Sequence, residues 1–205
     1  MTVSFDAATY KKTTRAQWED AAKAWHRWGP TIEAWLGAAT QTMLDQANIT
    51  TGGRVLDVAA GAGGQTLDAA RRVGPTGRVL ATDISPAILH YAAKVAADAG
   101  LSNVDTLEAD GEDLSAVEEA AYDAAISRVG LIYFPDQQAA LASMCRALRP
   151  GGRVSAVVYS TADRNRLLRH PGRHHPPPCP APAARTRPAR TVQPRRPRRR
   201  RAGLH

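Results

Sequence analysis

The chain has 205 residues with 27 basic and 19 acidic side chains, a length that supports one domain with a substantial core and is short for two. No apolar run reaches the roughly 20 residues that span a bilayer. The N-terminus also lacks the basic-then-apolar pattern of a secretory signal, so we expect a cytoplasmic protein without a membrane span.

We treat residues 1–50 as an N-terminal helical cap. Residues 1–14 are expected to form a loose arm, and two helices are predicted after it. From Gln17 onwards, Trp18, Ala21, Ala22, Trp25 and Trp28 share one helical face, and the Gly-Pro pair at 29–30 predicts the end of that helix. Residues 31–47 predict a second helix with an apolar stripe. The tryptophans either form an aromatic lid over a pocket or simply bury the helices against the domain.

The central motif occupies residues 54–66. An apolar run over residues 55–60 contains Asp57 and ends in a loop with Gly61, Gly63 and Gly64, and residues 65–73 fit a helix. Glycines allow the backbone to turn sharply and a ligand to approach it, while the following helix offers free N–H groups to a negative group. The motif predicts a nucleotide-type binding loop between a strand and a helix.

A second strand-helix unit follows. Residues 77–85 predict a buried strand that ends at Asp83, and residues 87–99 predict a helix capped by Ser85. Asp83 lies 20 residues after Gly63, the spacing at which an acid accepts hydrogen bonds from the hydroxyls of an adenosine ribose. The alternative is an acid that only caps the following helix.

Three further strands complete the predicted sheet. They are expected at residues 104–109, which Asp110 follows, at residues 122–131, and at residues 153–159, with a helix after Asp136 that ends at Pro-Gly-Gly (150–152). Strands that alternate with helices indicate an α/β fold, a Rossmann-like, doubly wound parallel sheet flanked by helices. Ligands of such sheets lie at the carboxyl ends of the strands, where Ser127 and Arg128 are expected.

Residues 164–205 differ from the rest of the chain. They hold 13 arginines, nine of the 14 prolines and no acid, so they bury too little apolar surface to offset the entropy of ordering, and we expect a disordered Arg/Pro-rich tail. An out-of-frame reading of a GC-rich gene would produce such a segment. A basic arm that binds nucleic acid non-specifically is the rival interpretation.

We expect no metal site and no disulfide framework. His170, His174, His175 and Cys179 have a spacing that superficially suits zinc. A proline-rich segment supplies no surrounding groups that would orient such ligands, so we discount it. The chain has two cysteines, which does not imply disulfide bonds.

The glycine loop, together with Asp83 and Asp110, resembles the class I S-adenosylmethionine-dependent methyltransferases. The nearest group is that of the ubiquinone/menaquinone biosynthesis C-methyltransferases, and the likeness covers roughly residues 15–163. Ala59 departs from the pattern, since that family often has a glycine there. The resemblance implies a core over residues 51–163. It also implies a further helix and two C-terminal strands, which this sequence does not supply.

The resemblance also implies roles for individual residues. The cofactor S-adenosylmethionine would be bound by residues within, at or just after the carboxyl ends of the first four strands, namely Asp57, Gly61, Gly63, Asp83, Ile84, Asp110, Gly111 and Ser127. A small-molecule methyl acceptor would be bordered by Trp28, Arg128 and Tyr133. Catalytic residues stay unassigned, with Tyr133 and His26 as weak candidates for taking a proton from the acceptor.

The sequence therefore predicts transfer of a methyl group from S-adenosylmethionine to a small acceptor, impaired if the C-terminal elements are missing. Two alternatives stay open. An NAD-dependent oxidoreductase would also use a glycine loop and an acid 20 residues on, but a third glycine is absent at Thr66. A non-enzymatic protein could bind nucleic acid through its arginine-rich tail. The sequence does not name the acceptor or the oligomeric state.

Overall fold

The computed structural model describes residues 5–161 and 163–165. These form five α-helices, five strands and one short 3-10 helix. In chain order the elements are α1 (Ala7–Arg27), α2 (Gly29–Gln46), β1 (Arg54–Val58), α3 (Gly64–Val73), β2 (Arg78–Asp83), α4 (Pro86–Asp98), β3 (Val104–Glu108), β4 (Tyr122–Arg128), the 3-10 helix (Leu131–Tyr133), α5 (Gln137–Ala147) and β5 (Leu148–Val157).

The strands form one parallel sheet in the order β3-β2-β1-β4-β5. The order reverses between β1 and β4, which pair directly through Val55 and Ala124. The carboxyl ends of these two strands therefore border a crevice, and doubly wound sheets bind their ligands in such a crevice. The predicted α/β class and the parallel sheet are confirmed.

Helices cover both faces of the sheet. Val55 and Leu56 are neighbours in β1 and point to opposite sides, since side chains alternate along a strand. Val55 packs in a cluster with Met43 and Leu44 of α2 and with α3. Leu56 packs in a second cluster with Met144 of α5. β1 is therefore buried on both faces, which explains its nearly continuous apolar run.

The N-terminal helix begins earlier than predicted. Asp6 caps it by accepting hydrogen bonds from the backbone N–H groups of Ala8 and Thr9, and α1 runs from Ala7. The loose arm expected over residues 1–14 is thus wrong for residues 7–14, whose polar composition conceals the helical period. The Gly-Pro pair also begins α2 rather than ending α1, because proline fits the first turn of a helix.

Boundaries at the C-terminal side shift as well. The fourth strand ends at Arg128, not at residue 131, because Val129 takes a left-handed conformation (φ 63°) before the 3-10 helix. The last helix ends at Ala147, and Leu148 already begins β5, whose pairing with β4 is irregular between Tyr122 and Ala124. Among the described residues, β5 pairs with β4 alone. The tail predicted for residues 164–205 lies, from residue 166 onward, outside the described residues.

Candidate functional site

A cavity of about 980 Å³, including the part open to solvent, lies at the carboxyl ends of the strands. On the sheet side, the cavity is lined by residues at or just after the ends of β1, β2, β3 and β4, namely residues 59–61, 83–84, 109–111 and 128–130. Side chains of α1 and α2 line it on the other side. The cavity therefore occupies the position at which such sheets bind ligands.

The glycine loop after β1 contains two left-handed glycines with different surroundings. Gly61 (φ 59°) lines the cavity, and a Cβ atom there would lie 3.4 Å from Nε1 of Trp25. Gly63 (φ 89°) faces away from the cavity, and a Cβ there would lie 3.0 Å from Cα of Ala92 in α4. Gly61 thus allows a ligand to approach the loop, whereas Gly63 allows α4 to pack against it.

Asp57 is fully buried beneath the loop and does not line the cavity. Its carboxylate accepts hydrogen bonds from Oγ1 of Thr66 (2.6 Å) and Nε2 of Gln65 (3.2 Å), both in the first turn of α3. Burial raises the pKa of Asp57 to about 6, although these two hydrogen bonds lower it. In this structure Asp57 holds the start of α3 against the end of β1.

Asp83 lies at the end of β2 and lines the cavity together with Ile84. One carboxylate oxygen accepts the backbone N–H of Gly61 and the other that of Ser85, each at 3.0 Å. Burial raises the pKa of Asp83, and these backbone hydrogen bonds lower it in part. Each oxygen has capacity for a second hydrogen bond, so the carboxylate can both fix the glycine loop and accept from a ligand.

Asp110 and Gly111 line the cavity after β3, where α1 reaches them. Nζ of Lys11 binds Oδ2 of Asp110 (2.6 Å) and Oε2 of Glu112 (2.5 Å). Burial lowers the pKa of Lys11, but the hydrogen bonds with these two carboxylates raise it above its ordinary value. A Cβ on Gly111 would overlap the ring of Phe134, so a side chain there would require Phe134 to shift.

Ser127 lies behind the cavity wall rather than in it. Its Oγ is buried and, among the described residues, has no hydrogen-bond partner. A Cβ on Gly130 would lie 2.6 Å from this Oγ and 2.6 Å from Cβ of Ala59. Ala59 (φ 58°) and Val129 (φ 63°) both hold left-handed conformations that non-glycine residues seldom adopt. Two of the four left-handed non-glycine residues in the described chain therefore lie where β1 and β4 meet the cavity.

Arg128, at the end of β4, is tied to α2. Its side chain is 6% exposed, and Nη1 donates to Oε2 of Glu33 (3.0 Å) and Oγ1 of Thr40 (2.8 Å). Its Nη2 lies 2.7 Å from the position that a Cβ of Gly64 would take, beside the start of α3. Arg128 lines the cavity, as predicted, but next to the glycine loop.

Aromatic side chains form the remaining wall. Trp18 packs edge-to-face against Trp25 (ring centroids 5.1 Å apart) and against Tyr133 (5.4 Å), and Trp35 stacks on Tyr159 (6.4 Å). All five line the cavity. Burial raises the pKa of Tyr133, and the nearby Tyr159 and Tyr10 raise it further. Tyr133 therefore stays protonated at neutral pH.

Besides Asp57, Gly63 and Ser127, the predicted residues Trp28 and His26 do not line the cavity. Trp28 lies at the junction of α1 and α2 and is 57% exposed, because the helix on whose face it was predicted ends at Arg27. His26 stacks on Tyr91 of α4 (4.6 Å between ring centroids), outside the lining. The structure gives the substrate role of Trp28 and the catalytic role of His26 no support.

Sequence reasoning found Trp18 and Trp25 on the face of α1 that meets the cavity but missed Lys11 and Thr14 on the same face. Lys11, Thr14, Trp18 and Trp25 lie three, four and seven residues apart and occupy one face of the helix. Two of them are polar, so an apolar period does not reveal them. The spacing of Trp18 and Trp25, continued towards the N-terminus in steps of one helical turn, reaches Thr14 and Lys11 and is the signal that could have found them.

The described residues offer neither a metal site nor a membrane span. Within residues 5–161 and 163–165, no three His, Cys, Asp or Glu side chains gather to hold a metal ion, and the His/Cys group discounted from the sequence lies outside these residues. None of the helices described is both long and apolar enough to cross a membrane.

The comparisons with known proteins agree with this geometry. Residues 55–152 match the methyltransferase domain family. The ubiquinone/menaquinone biosynthesis C-methyltransferase of Idiomarina loihiensis is 36% identical over 118 residues, which cover 57% of this chain and 47% of the relative. The chain spans about half the length of the curated relatives it matches.

Solved structures support the fold. A putative S-adenosylmethionine-dependent methyltransferase from Methanococcus maripaludis superposes with a TM-score of 0.59 at 22% identity, covering 67% of this chain and 63% of that one. Geranyl diphosphate C-methyltransferase from Streptomyces coelicolor, solved with S-adenosylhomocysteine, gives 0.54 at 21% identity, covering 58% and 44%. Residues 55–152 therefore match the methyltransferase domain family in sequence, the described chain shares the fold of solved S-adenosylmethionine-dependent methyltransferases, and the chain resembles the ubiquinone/menaquinone biosynthesis C-methyltransferases.

Proposed function

We propose that the chain binds S-adenosylmethionine in this cavity and transfers its methyl group to a small-molecule acceptor. The observation that carries the proposal is the pairing of Asp83 with Gly61. The carboxylate accepts the N–H of the glycine loop at 3.0 Å, and both groups line a cavity at the reversal of strand order. The match to the methyltransferase domain family over the same residues supports it. It is also supported by the Streptomyces coelicolor enzyme, which has a similar fold and was solved with S-adenosylhomocysteine.

The chemistry of the lining fits this cofactor. An adenosyl group needs acceptors for its ribose hydroxyls, and Asp83 has a further acceptor position on each oxygen. The charged amino-acid end needs N–H donors, and no side chain caps the first turn of α3. A sulfonium benefits from aromatic faces, which Trp18, Trp25 and Tyr133 provide.

The cofactor supplies an activated methyl group, so the protein has to align the two reactants and exclude water. The aromatic side chains Trp18 and Trp25 of α1 line the cavity and would help to shield a bound donor from water. The glycine loop, fixed by Asp57 from below and by Asp83 from the side, gives the donor a rigid seat. Preorganisation of this kind is the main contribution that we assign to this domain.

The acceptor has to supply its own nucleophile. The carboxylates that line the cavity, Asp83 and Asp110, are engaged with the glycine loop and with Lys11. Tyr133 has a raised pKa and stays protonated, which makes it a hydrogen-bond donor rather than a base. We therefore assign Tyr133 to orienting the acceptor, and the acceptor should be a group that is already nucleophilic, or acidic enough to lose its proton to water.

The division of the chain belongs to the same proposal. Residues 1–50 act as a cap that contributes the aromatic wall, and residues 51–163 act as the cofactor-binding core. The cytoplasmic location stays a prediction from the sequence, and non-specific nucleic-acid binding by residues 164–205 stays the rival to the out-of-frame interpretation of that segment.

Titration calorimetry on the purified full chain tests the proposal, with S-adenosylhomocysteine and NAD measured side by side. We expect binding of S-adenosylhomocysteine and a loss of tenfold or more in Asp83→Asn, since hydrogen bonds to a charged group contribute about 1.5 to 3 kcal/mol each. Asp98→Asn is the matched control, because Asp98 pairs with Lys94 on the exposed surface of α4. Binding of NAD without binding of S-adenosylhomocysteine would replace the proposal.

A further inference from the structure

We infer that Arg128 belongs to the donor half of the site, where its Nη2 binds the carboxylate of the amino-acid end of S-adenosylmethionine. This inference rests on the function proposed above. The sequence placed Arg128 beside the methyl acceptor. The structure places its guanidinium next to the glycine loop instead, 2.7 Å from where a Cβ of Gly64 would lie.

The side chain is held in a fixed orientation. It is 6% exposed, and Nη1 is engaged by Glu33 at 3.0 Å and Thr40 at 2.8 Å, both from α2. Within the described part of the chain, all hydrogen bonds of this guanidinium are made through Nη1. Nη2 is therefore the edge of the group that is available to a ligand.

The backbone beside Nη2 also favours an anion. Gly64 is the first residue of α3, a ten-residue helix whose N-cap, Gly63, has no side chain to accept its free N–H groups. The N-terminus of a helix carries partial positive charge, and a guanidinium adds a full one. The Cβ position of Gly64 also lies 3.2 Å from Oε2 of Glu33, so a ligand carboxylate at this helix start would have donors on two sides, the arginine and the backbone, and the Glu33 carboxylate nearby.

Glu33 partly neutralises the charge of Arg128 and so limits how strongly this subsite attracts a carboxylate. Glu33 is more exposed than Arg128 (38% against 6% of the side chain), so solvent screens its charge more effectively. The pair fixes the guanidinium, and Glu33 neutralises part of its charge beside Gly64. Glu33 and Thr40 are thus positioning residues, through which α2 influences the affinity for the donor.

The test compares two ligands that differ only in the carboxylate: S-adenosylhomocysteine and its decarboxylated analogue. Calorimetry on the wild-type chain should show at least a tenfold weaker affinity for the analogue. In Arg128→Gln the affinity for S-adenosylhomocysteine should fall at least tenfold, whereas the affinity for the analogue should stay within about twofold of wild type.

Two variants separate this role from a purely structural one. Glu33→Gln combined with Arg128→Gln removes the ion pair without leaving a lone charge, and it should show the same ligand pattern as Arg128→Gln alone. Gly64→Ala keeps the arginine but displaces Nη2, and it should also reduce the discrimination between the two ligands.

Equal losses for both ligands in Arg128→Gln would assign Arg128 a structural role and overturn the inference. Unchanged affinities for both would return Arg128 to the acceptor side and would overturn the inference as well. If the wild-type chain binds neither ligand, the proposed function itself fails.

Discussion

Asp57 makes the stability of this domain depend on pH in an unusual direction. The native state holds the carboxyl group fully buried and raises its pKa from 3.8 to about 6. Between these two values the native state retains a proton that the unfolded chain releases. The free energy of unfolding should therefore decrease as the pH rises from about 4 to about 6, whereas most paired carboxylates give the opposite trend.

The size of the effect follows from the shift. A difference of about two pKa units, at about 1.4 kcal/mol per unit, corresponds to an order-of-magnitude contribution of about 3 kcal/mol between pH 4 and pH 7. Asp57→Asn removes the titration. The amide can accept from Gln65 and donate to Thr66, whose hydroxyl serves as either partner. The substitution should therefore leave the packing of α3 in place.

The assay is chemical denaturation of both proteins at several pH values from 4 to 7. The stability of the wild type relative to Asp57→Asn should decline by about 3 kcal/mol over this interval. Asp113→Asn is a useful control, because hydrogen bonds with Ser115 lower the pKa of this exposed carboxyl below 3.8, so its contribution changes mainly below the assayed range and its difference should stay nearly flat from pH 4 to 7. Parallel pH profiles of the wild type and Asp57→Asn would refute the reasoning.

Ala59→Gly should raise the thermal midpoint slightly. Relief of the left-handed alanine (φ 58°) stabilises the native state by roughly 1–2 kcal/mol, whereas the greater entropy of glycine in the unfolded chain opposes this by roughly 0.5–1 kcal/mol. A lower midpoint in calorimetric scans would contradict this. Gly63→Ala should lower the midpoint, because its Cβ would meet Ala92 at 3.0 Å in a backbone conformation with φ 89°, and a midpoint equal to wild type would show the loop to be more tolerant. Binding of S-adenosylhomocysteine should change the tryptophan fluorescence. Trp25→Phe should remove more of this change than Trp28→Phe, since Trp25 lines the cavity and Trp28 does not. Equal losses in the two variants would argue that the ligand binds elsewhere.

The elements that could be predicted from the sequence are those with a local cause. The strand before Gly61, the helix after it and the acid at residue 83 depend on short patterns of apolar, glycine and acidic residues, and the structure reproduces them. The positions of Gly61 and Asp83 in the cavity follow, because parallel strands bring their carboxyl ends to one edge. Asp110 lies in the cavity for the same reason.

The features that could not be predicted depend on contacts between distant parts of the chain. Lys11 and Asp110 are 99 residues apart, and Arg128 and Glu33 are 95 residues apart, so no local pattern reveals either pair. The periodicity that grouped Trp28 with Trp25 is correct for a continuous helix, but the chain bends at Trp28. Gly63 looked like part of a ligand loop, and only the packing of α4 shows its other role.

A crystal structure of the full chain with S-adenosylhomocysteine tests the central claim most directly. We predict that the ligand occupies the cavity with its ribose hydroxyls on the carboxylate of Asp83, its amino-acid end at Gly61 and Gly64, and its sulfur facing the aromatic wall of Trp18 and Tyr133. A ligand bound elsewhere, or a cavity that stays empty at saturating concentrations, would contradict the account.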